Sequence, residues 1–295
     1  MTPRRSVQLG RALGGVAALL LISSLALGSS HDKLTEEFHQ TYPLAADGRV
    51  ELDNVNGAVH ISTWDRNEVK VDAIKSARSK ERLDEAKIEV DASASLVSIR
   101  THYPGHDRTF WNDDRLENPA SVEYTVTVPR RARLDEIKLV NGALDLHDVA
   151  GEVRANCVNG RIEARNLQGP AELNTVNGRL EAAVEQMPSS RLKFSSVNGA
   201  VYVTLPSDAR AEIRASTVSG GISNDFGLPV SRHQFVGQSL HGELGGGGTE
   251  VKLSTVNGGI EIRHAGDNRP LSPAKNLERD RSHHDEDSDD DDDEI

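Results

Sequence analysis

Residues 176–184 read Val176-Asn177-Gly178-Arg179-Leu180-Glu181-Ala182-Ala183-Val184, a short turn followed by apolar residues at every second position. That alternation is the period-2 pattern of a strand with one buried face, so Leu180, Ala182 and Val184 are predicted to point inward. The Asn-Gly pair is the commonest sequence of a two-residue chain reversal, because both residues tolerate positive φ. One turn and one half-buried strand are therefore predicted here.

The tripeptide returns along the chain, once with Ser in place of Asn. The predicted turn residues are Asn56, Gly57, Asn141, Gly142, Asn159, Gly160, Asn177, Gly178, Asn198, Gly199, Ser219, Gly220, Asn257 and Gly258. From Val140 onward the copies are 18, 18, 21, 21 and 38 residues apart. The last spacing indicates one 21-residue unit with about 17 inserted residues in the segment 226–248, which ends in four glycines.

Each unit holds two alternating strands and two turns. Stacked at about 4.8 Å, such units would form two facing sheets. The predicted fold class is therefore all-β, a single-chain β-solenoid of stacked two-strand coils with an N-terminal β-rich cap. An antiparallel meander of hairpins is the alternative, since an 18-residue period fits either topology.

Composition divides the chain into four segments. Residues 1–30 combine Arg4, Arg5 and Arg11 with a 16-residue apolar run from Ala12 to Leu27, the pattern of a cleaved secretory signal peptide. Residues 31–135 are predicted to form the β-rich cap, with a helical turn near Ser79–Ala86, and residues 136–264 the solenoid. Residues 265–295 are predicted to be a disordered acidic tail, whose binding of divalent cations stays open.

Charge excludes some classes of partner. The formal net charge is −12, but most of it lies in the tail, and residues 29–277 carry about −6. A mildly acidic body predicts no nucleic-acid partner. The apolar run is too short to span a bilayer comfortably, so no stable membrane span is expected after signal cleavage.

No pattern of catalytic, cofactor-binding or metal-ligating residues is present in the sequence. The histidines lack metal-ligand spacing, and Gly245–Gly248 lacks the Lys and Ser/Thr that follow a phosphate-binding loop. The single cysteine, Cys157, aligns with Thr175, Ser196, Thr217 and Thr255 just before each turn, which predicts a buried, unreactive side chain. We therefore expect no enzyme activity, no cofactor and no metal.

The repeats resemble a family of bacterial envelope proteins described as adhesins with β-strand repeats, a domain of unknown function. The residues that carry the resemblance are 124–129, 139–144 and the serial copies through Val201, then Leu244–Gly248 followed by Leu253–Gly258. The resemblance covers roughly residues 38–264. It implies an extracytoplasmic, solenoid-like protein, and no catalytic residues come with it.

These observations predict an exported, non-enzymatic adhesin or cell-envelope scaffold, periplasmic or secreted. It would bind an envelope glycan or protein through a sheet face that carries charged residues such as Arg161 and Glu163. Two alternatives stay open: a polysaccharide-active β-helix enzyme, and an accessory of envelope-stress signalling that acts through the acidic tail. Ligand identity and oligomeric state do not follow from the sequence.

Overall fold

A computed structural model describes residues 33–103, 120–233 and 236–277. The predicted signal peptide, most of the loop predicted at 103–119 and the acidic residues from Glu278 onward lie outside these ranges. Within them the chain forms one compact unit. No helix in the described part of the chain is long and apolar enough to cross a membrane.

The described residues are almost entirely β-strand, with one short helix, α1 (Lys80–Glu85). The strands are β1 (Leu34–Pro43), β2 (Arg49–Asn56), β3 (Val59–Trp64), β4 (Glu68–Ala77), β5 (Lys87–Ala92), β6 (Leu96–His102), β7 (Ser121–Pro129), β8 (Arg133–Asn141), β9 (Leu144–His147), β10 (Val153–Asn159), β11 (Ile162–Leu167), β12 (Ala171–Asn177), β13 (Leu180–Val184), β14 (Leu192–Asn198), β15 (Val201–Leu205), β16 (Ala211–Ser219), β17 (Ile222–Asn224), β18 (Ser231–Arg232), β19 (Gln238–Leu244), β20 (Thr249–Asn257), β21 (Ile260–His264) and β22 (Ala274–Asn276).

These strands form two sheets. Sheet 1 has the order β1-β4-β7-β3-β9-β11-β13-β15-β21-β17, and sheet 2 has the order β18-β19-β16-β20-β14-β12-β10-β8-β2-β6-β5, with β22 beside β19. Successive coils pair in parallel in both sheets, for example β10 with β12 and β11 with β13. The prediction of an all-β solenoid is confirmed, and parallel pairing excludes the hairpin meander. Strands β2 and β3, which flank the first Asn-Gly, lie in different sheets.

The coils are not stacked in sequence order. Strand β20 pairs in parallel with β14 on one side and with β16 on the other, so the last coil of the sequence lies between the coils of Asn198 and Ser219. The 38-residue spacing is therefore not one coil with a simple insertion, as the sequence indicated. After β15 the chain skips one level of the stack and forms β16 and β17 at the next. It then returns through β19, and β20 and β21 occupy the skipped level.

The core lies between the two sheets and follows the predicted alternation. Ile137, Ala155, Leu173 and Phe194 form one inward column of sheet 2, and all four are buried. Burial of one Leu or Phe side chain contributes about 1.5–3 kcal/mol. A single coil has too few such side chains to be stable alone, so contacts between stacked coils stabilise the fold.

At the N-terminal end of the stack, both sheets finish in antiparallel strands. Strand β4 pairs antiparallel with β1 and β7, and β5 pairs antiparallel with β6. Helix α1 begins after Ser79, whose hydroxyl accepts a hydrogen bond from the Arg82 N–H at 3.4 Å. Strands β2 and β3 belong to the stack itself, so β1, β4, β5 and α1 are the part of residues 31–135 that we propose as the cap.

Residues 265–277 differ from the predicted tail. Strand β22 pairs antiparallel with β19, and the Ser272 hydroxyl donates to the Ala209 carbonyl oxygen at 2.7 Å. Backbone pairing orders this segment although few of its residues are apolar.

Candidate functional site

All seven copies of the tripeptide meet in one row at one corner of the stack. Asn56 is in register with Asn141, and the row continues through Asn159, Asn177, Asn198 and Asn257 to Ser219. Side-chain amides link neighbouring asparagines: Asn159 donates to Asn141 and Asn177 donates to Asn159, each at 2.9 Å. Asn198 and Asn257 continue this asparagine ladder at 2.8 Å. The predicted turn residues therefore form one structural element.

The glycines of this corner are required mainly because successive coils approach closely there, whereas the sequence predicted that positive φ would require them. None of the seven Asn or Ser turn residues has positive φ, and among the seven glycines only Gly57 (φ 125°) and Gly220 (φ 155°) do. Instead, a Cβ at Gly160 would overlap the Gly142 carbonyl oxygen, and a Cβ at Gly178 would overlap that of Gly160. Only a residue without a side chain lets successive coils approach this closely.

A second ladder lies just inside the corner. The Thr175 hydroxyl donates to the Gly160 carbonyl oxygen at 3.1 Å, and the Thr255 hydroxyl donates to that of Gly199 at 2.9 Å. The Cys157 thiol occupies the same position, 3.3 Å from the Gly142 carbonyl oxygen. Cys157 is buried, as predicted, and burial raises its pKa to about 11, which keeps the sulfur protonated and unreactive at neutral pH.

The valine of each tripeptide points outward. Six of these valines lie side by side on the outer face of sheet 2, and each exposes 37–51% of its surface: Val140, Val158, Val176, Val197, Val256 and Val218. At about 4.8 Å per coil, the row is about 24 Å long. Sequence reasoning missed this row, although the signal was present: if the residue before each valine points inward, the valine must point outward.

Two polar rows flank these valines. On one side is the asparagine ladder. On the other lies an uncharged row formed by Asn156, Asn174, Ser195, Ser254 and Ser216, which ends at the charged Lys138 beside Val140. Beyond it stand charged residues, including Glu172 and Lys193, which form an ion pair at 2.7 Å. We call the valine row and the uncharged row together the valine face: a flat, neutral strip with a charged border.

The outer face of sheet 1 is different, because its charges are paired with each other. Arg161 contacts Asp145 at 3.1 Å, and Arg179 contacts Glu181 at 3.4 Å. Tyr202 lies between two arginines, with the Arg179 and Arg263 guanidinium carbons 5.6 and 5.0 Å from the ring centroid. The charged residues predicted to bind a partner therefore satisfy one another on this face.

Within residues 33–103, 120–233 and 236–277, no group of three or more His, Cys, Asp and Glu side chains could hold a metal ion.

Comparison with known proteins finds one matching family model. Residues 146–263 match the family described as Toastrack DUF4097. No curated protein matches the chain. A crystal structure of a putative cell adhesion protein from Clostridium sporogenes aligns over 78% of this chain and 100% of its own, with 14% identity and a TM-score of 0.47.

Two further solved structures are similar at lower scores. A putative adhesin from Bacteroides fragilis covers 78% of this chain and 97% of its own, with 9% identity and a TM-score of 0.37. A putative lipid binding protein from Parabacteroides distasonis covers 78% and 96%, with 8% identity and a TM-score of 0.28. Identities and scores this low say nothing about what the present chain binds.

Proposed function

We propose that this chain, whose residues 146–263 match the Toastrack DUF4097 family, is an exported, non-catalytic adhesin-like protein that binds a protein of the cell envelope through its valine face. The single observation that carries the proposal is the exposed valine in six successive coils. Export is supported by the signal-peptide pattern of residues 1–30.

Exposed apolar residues are common on protein surfaces, but they are usually scattered. A contiguous strip bordered by polar residues is typical of an interaction site. The valine face has the composition of a protein interface, with an apolar centre, few charges near it and a charged rim. It is also rigid, because each side chain is carried by a paired strand, so little ordering is needed on binding.

The paired charges of sheet 1 make that sheet the weaker candidate. A partner there would have to replace existing contacts such as Arg161 with Asp145. The ion pairs that it formed instead would be exposed and would contribute little net binding free energy. Sheet 1 therefore supplies the matched control surface for an experiment on sheet 2.

The experiment compares three immobilised proteins on an envelope extract. These are the wild type, the triple variant Val158→Thr, Val176→Thr and Val197→Thr, and a sheet 1 variant in which Arg161, Glu163, Arg179 and Glu181 become Ser. Threonine keeps the β-branched shape that strands favour, so the fold should persist, which circular dichroism checks. We expect a protein retained by the wild type and the sheet 1 variant and lost with the triple variant. Equal retention by all three proteins, or loss only with the sheet 1 variant, would contradict the proposal.

A further inference from the structure

A cleft of about 620 Å³ lies at the corner of the stack opposite the asparagine ladder. It forms where the coil order is irregular. The turn that ends in Gln186 and Met187, the turn that contains Pro206 and the glycine run before β20 converge there, because β20 and β21 occupy the level between β14–β15 and β16–β17. Volumes of this size are typical of small-molecule sites.

The glycine run shapes one wall of the cleft around an arginine. Gly245, Gly246 and Gly247 have φ values of 61°, 81° and 80°, which side-chain-bearing residues rarely adopt. A Cβ at Gly245 would lie 3.0 Å from the Arg210 Cγ, and one at Gly248 would lie 2.6 Å from the Arg210 carbonyl oxygen. The absence of side chains at Gly245 and Gly248 therefore leaves room for Arg210 along the wall.

Arg210 is the cation available to a ligand. Within the described ranges its guanidinium has no hydrogen-bond or ion-pair partner, and the residue is exposed. The other arginine of the cleft, Arg269, contacts Asp208 at 3.0 Å and Asp267 at 3.3 Å. Arg269 is therefore engaged by two carboxylates, and Arg210 is the guanidinium of the cleft that has no ion-pair partner among the described residues.

The remaining lining combines apolar and neutral polar groups. Met187 is half-buried and offers a C–H surface, Pro206 is buried behind the wall of the cleft, and Gln186 and Ser189 offer exposed hydrogen-bonding groups. None of the described residues that line the cleft is aromatic. One cation, a C–H surface and several hydroxyl partners match a sugar ring that carries a single carboxylate.

We propose that this cleft binds an acidic sugar unit of the uronic-acid type, with its carboxylate on Arg210, its ring against Met187, and its hydroxyls on Gln186, Ser189 and Asp208. A zwitterionic amino acid fits less well, because Asp208, the acidic side chain among the described lining residues, is already paired with Arg269. A nucleotide fits less well because the cleft has no aromatic surface for a base and only one free cation for phosphate. The site is separate from the valine face.

The test is titration of the purified protein with D-glucuronate, D-glucose and acetate, followed by calorimetry or ligand-observed NMR. We expect saturable binding of glucuronate and much weaker binding of glucose and acetate. Arg210→Ala should weaken glucuronate binding about tenfold or more, since a charge-assisted hydrogen bond would be lost. The exposed Arg131, which lies outside the cleft, provides the control variant Arg131→Ala, which should bind as the wild type does.

Each other outcome overturns the proposal. Equal binding of acetate would show a site for any carboxylate, and equal binding of glucose would show that the carboxylate is not recognised. Absence of saturable glucuronate binding, or an Arg210→Ala variant that binds like the wild type, would exclude the site. The triple valine variant should bind glucuronate normally, so the outcome here is independent of the valine face.

Discussion

The side-chain amide of Asn257 donates to the side-chain oxygen of Asn198 at 2.8 Å, although the Ser219 copy of the repeat lies between them in the sequence. For this contact to form, the last coil of the sequence must lie between the coil of Asn198 and the coil of Ser219. It also places the valines of these two coils, Val197 and Val256, next to each other on the valine face.

This coil order predicts which cysteine pairs can be crosslinked. In a Cys157→Ser background, Val197→Cys with Val256→Cys should form a disulfide, because the two positions are on adjacent paired strands within the usual Cα distance for a disulfide. Val197→Cys with Val218→Cys should not, because those strands are two levels apart, about 10 Å. Gel mobility with and without reductant distinguishes the pairs. A crosslink only in the second pair would mean that the coils follow sequence order.

The glycines of the corner should be unequal in their tolerance of a side chain. Gly178→Ala should destabilise the fold by roughly 2–3 kcal/mol, because the new Cβ overlaps the Gly160 carbonyl oxygen and two paired backbones must separate. Gly221→Ala is the control, since its Cβ would meet no atom within 4 Å, and it should change the free energy of unfolding by less than about 1 kcal/mol. Urea unfolding measures both. Similar losses for the two variants would refute the close-stacking explanation.

The asparagine ladder should contribute modestly to stability. Asn177→Ala removes one amide donated to Asn159 and one accepted from Asn198, so we expect a loss of about 1–2 kcal/mol in the free energy of unfolding. Asn67→Ala, an exposed turn residue outside the ladder, should be near neutral. If the two variants unfold at the same urea concentration, the ladder is not a stabilising element.

Cys157 should make stability depend on pH at the alkaline end. Because burial raises its pKa from 9.0 to about 11, the folded state holds the thiol proton more tightly than the unfolded state does. The contribution of the protonated Cys157 thiol to stability is fully present below about pH 9 and is lost as pH rises towards 11. Cys157→Ser, whose hydroxyl can still reach the Gly142 carbonyl oxygen, should lack that part of the decline. Urea midpoints at pH 8, 9 and 10 test this, and parallel declines in the two proteins would show that the thiol is not responsible.

Some of this architecture could be predicted from local pattern. Alternation around Leu180 and Leu173 fixes which side chains face the core, and Thr175 and Cys157 were correctly placed inward. The coil order could not be predicted, because Asn257 and Ser219 have equivalent neighbours in the sequence and only long-range pairing decides which lies beside Asn198. The role of the glycines was also missed, since their limiting contact is with the backbone of another coil. The cleft at Arg210 depends on that same coil order.

The most direct test of binding through the valine face is site-specific photocrosslinking. A photoreactive phenylalanine is placed at Val176, on the valine face, or at Glu181, on the outer face of sheet 1, and the protein is irradiated with an envelope extract. The proposal predicts a crosslinked protein of defined mass from position 176 and not from position 181. A product only from position 181, or the absence of any product from position 176, would contradict it.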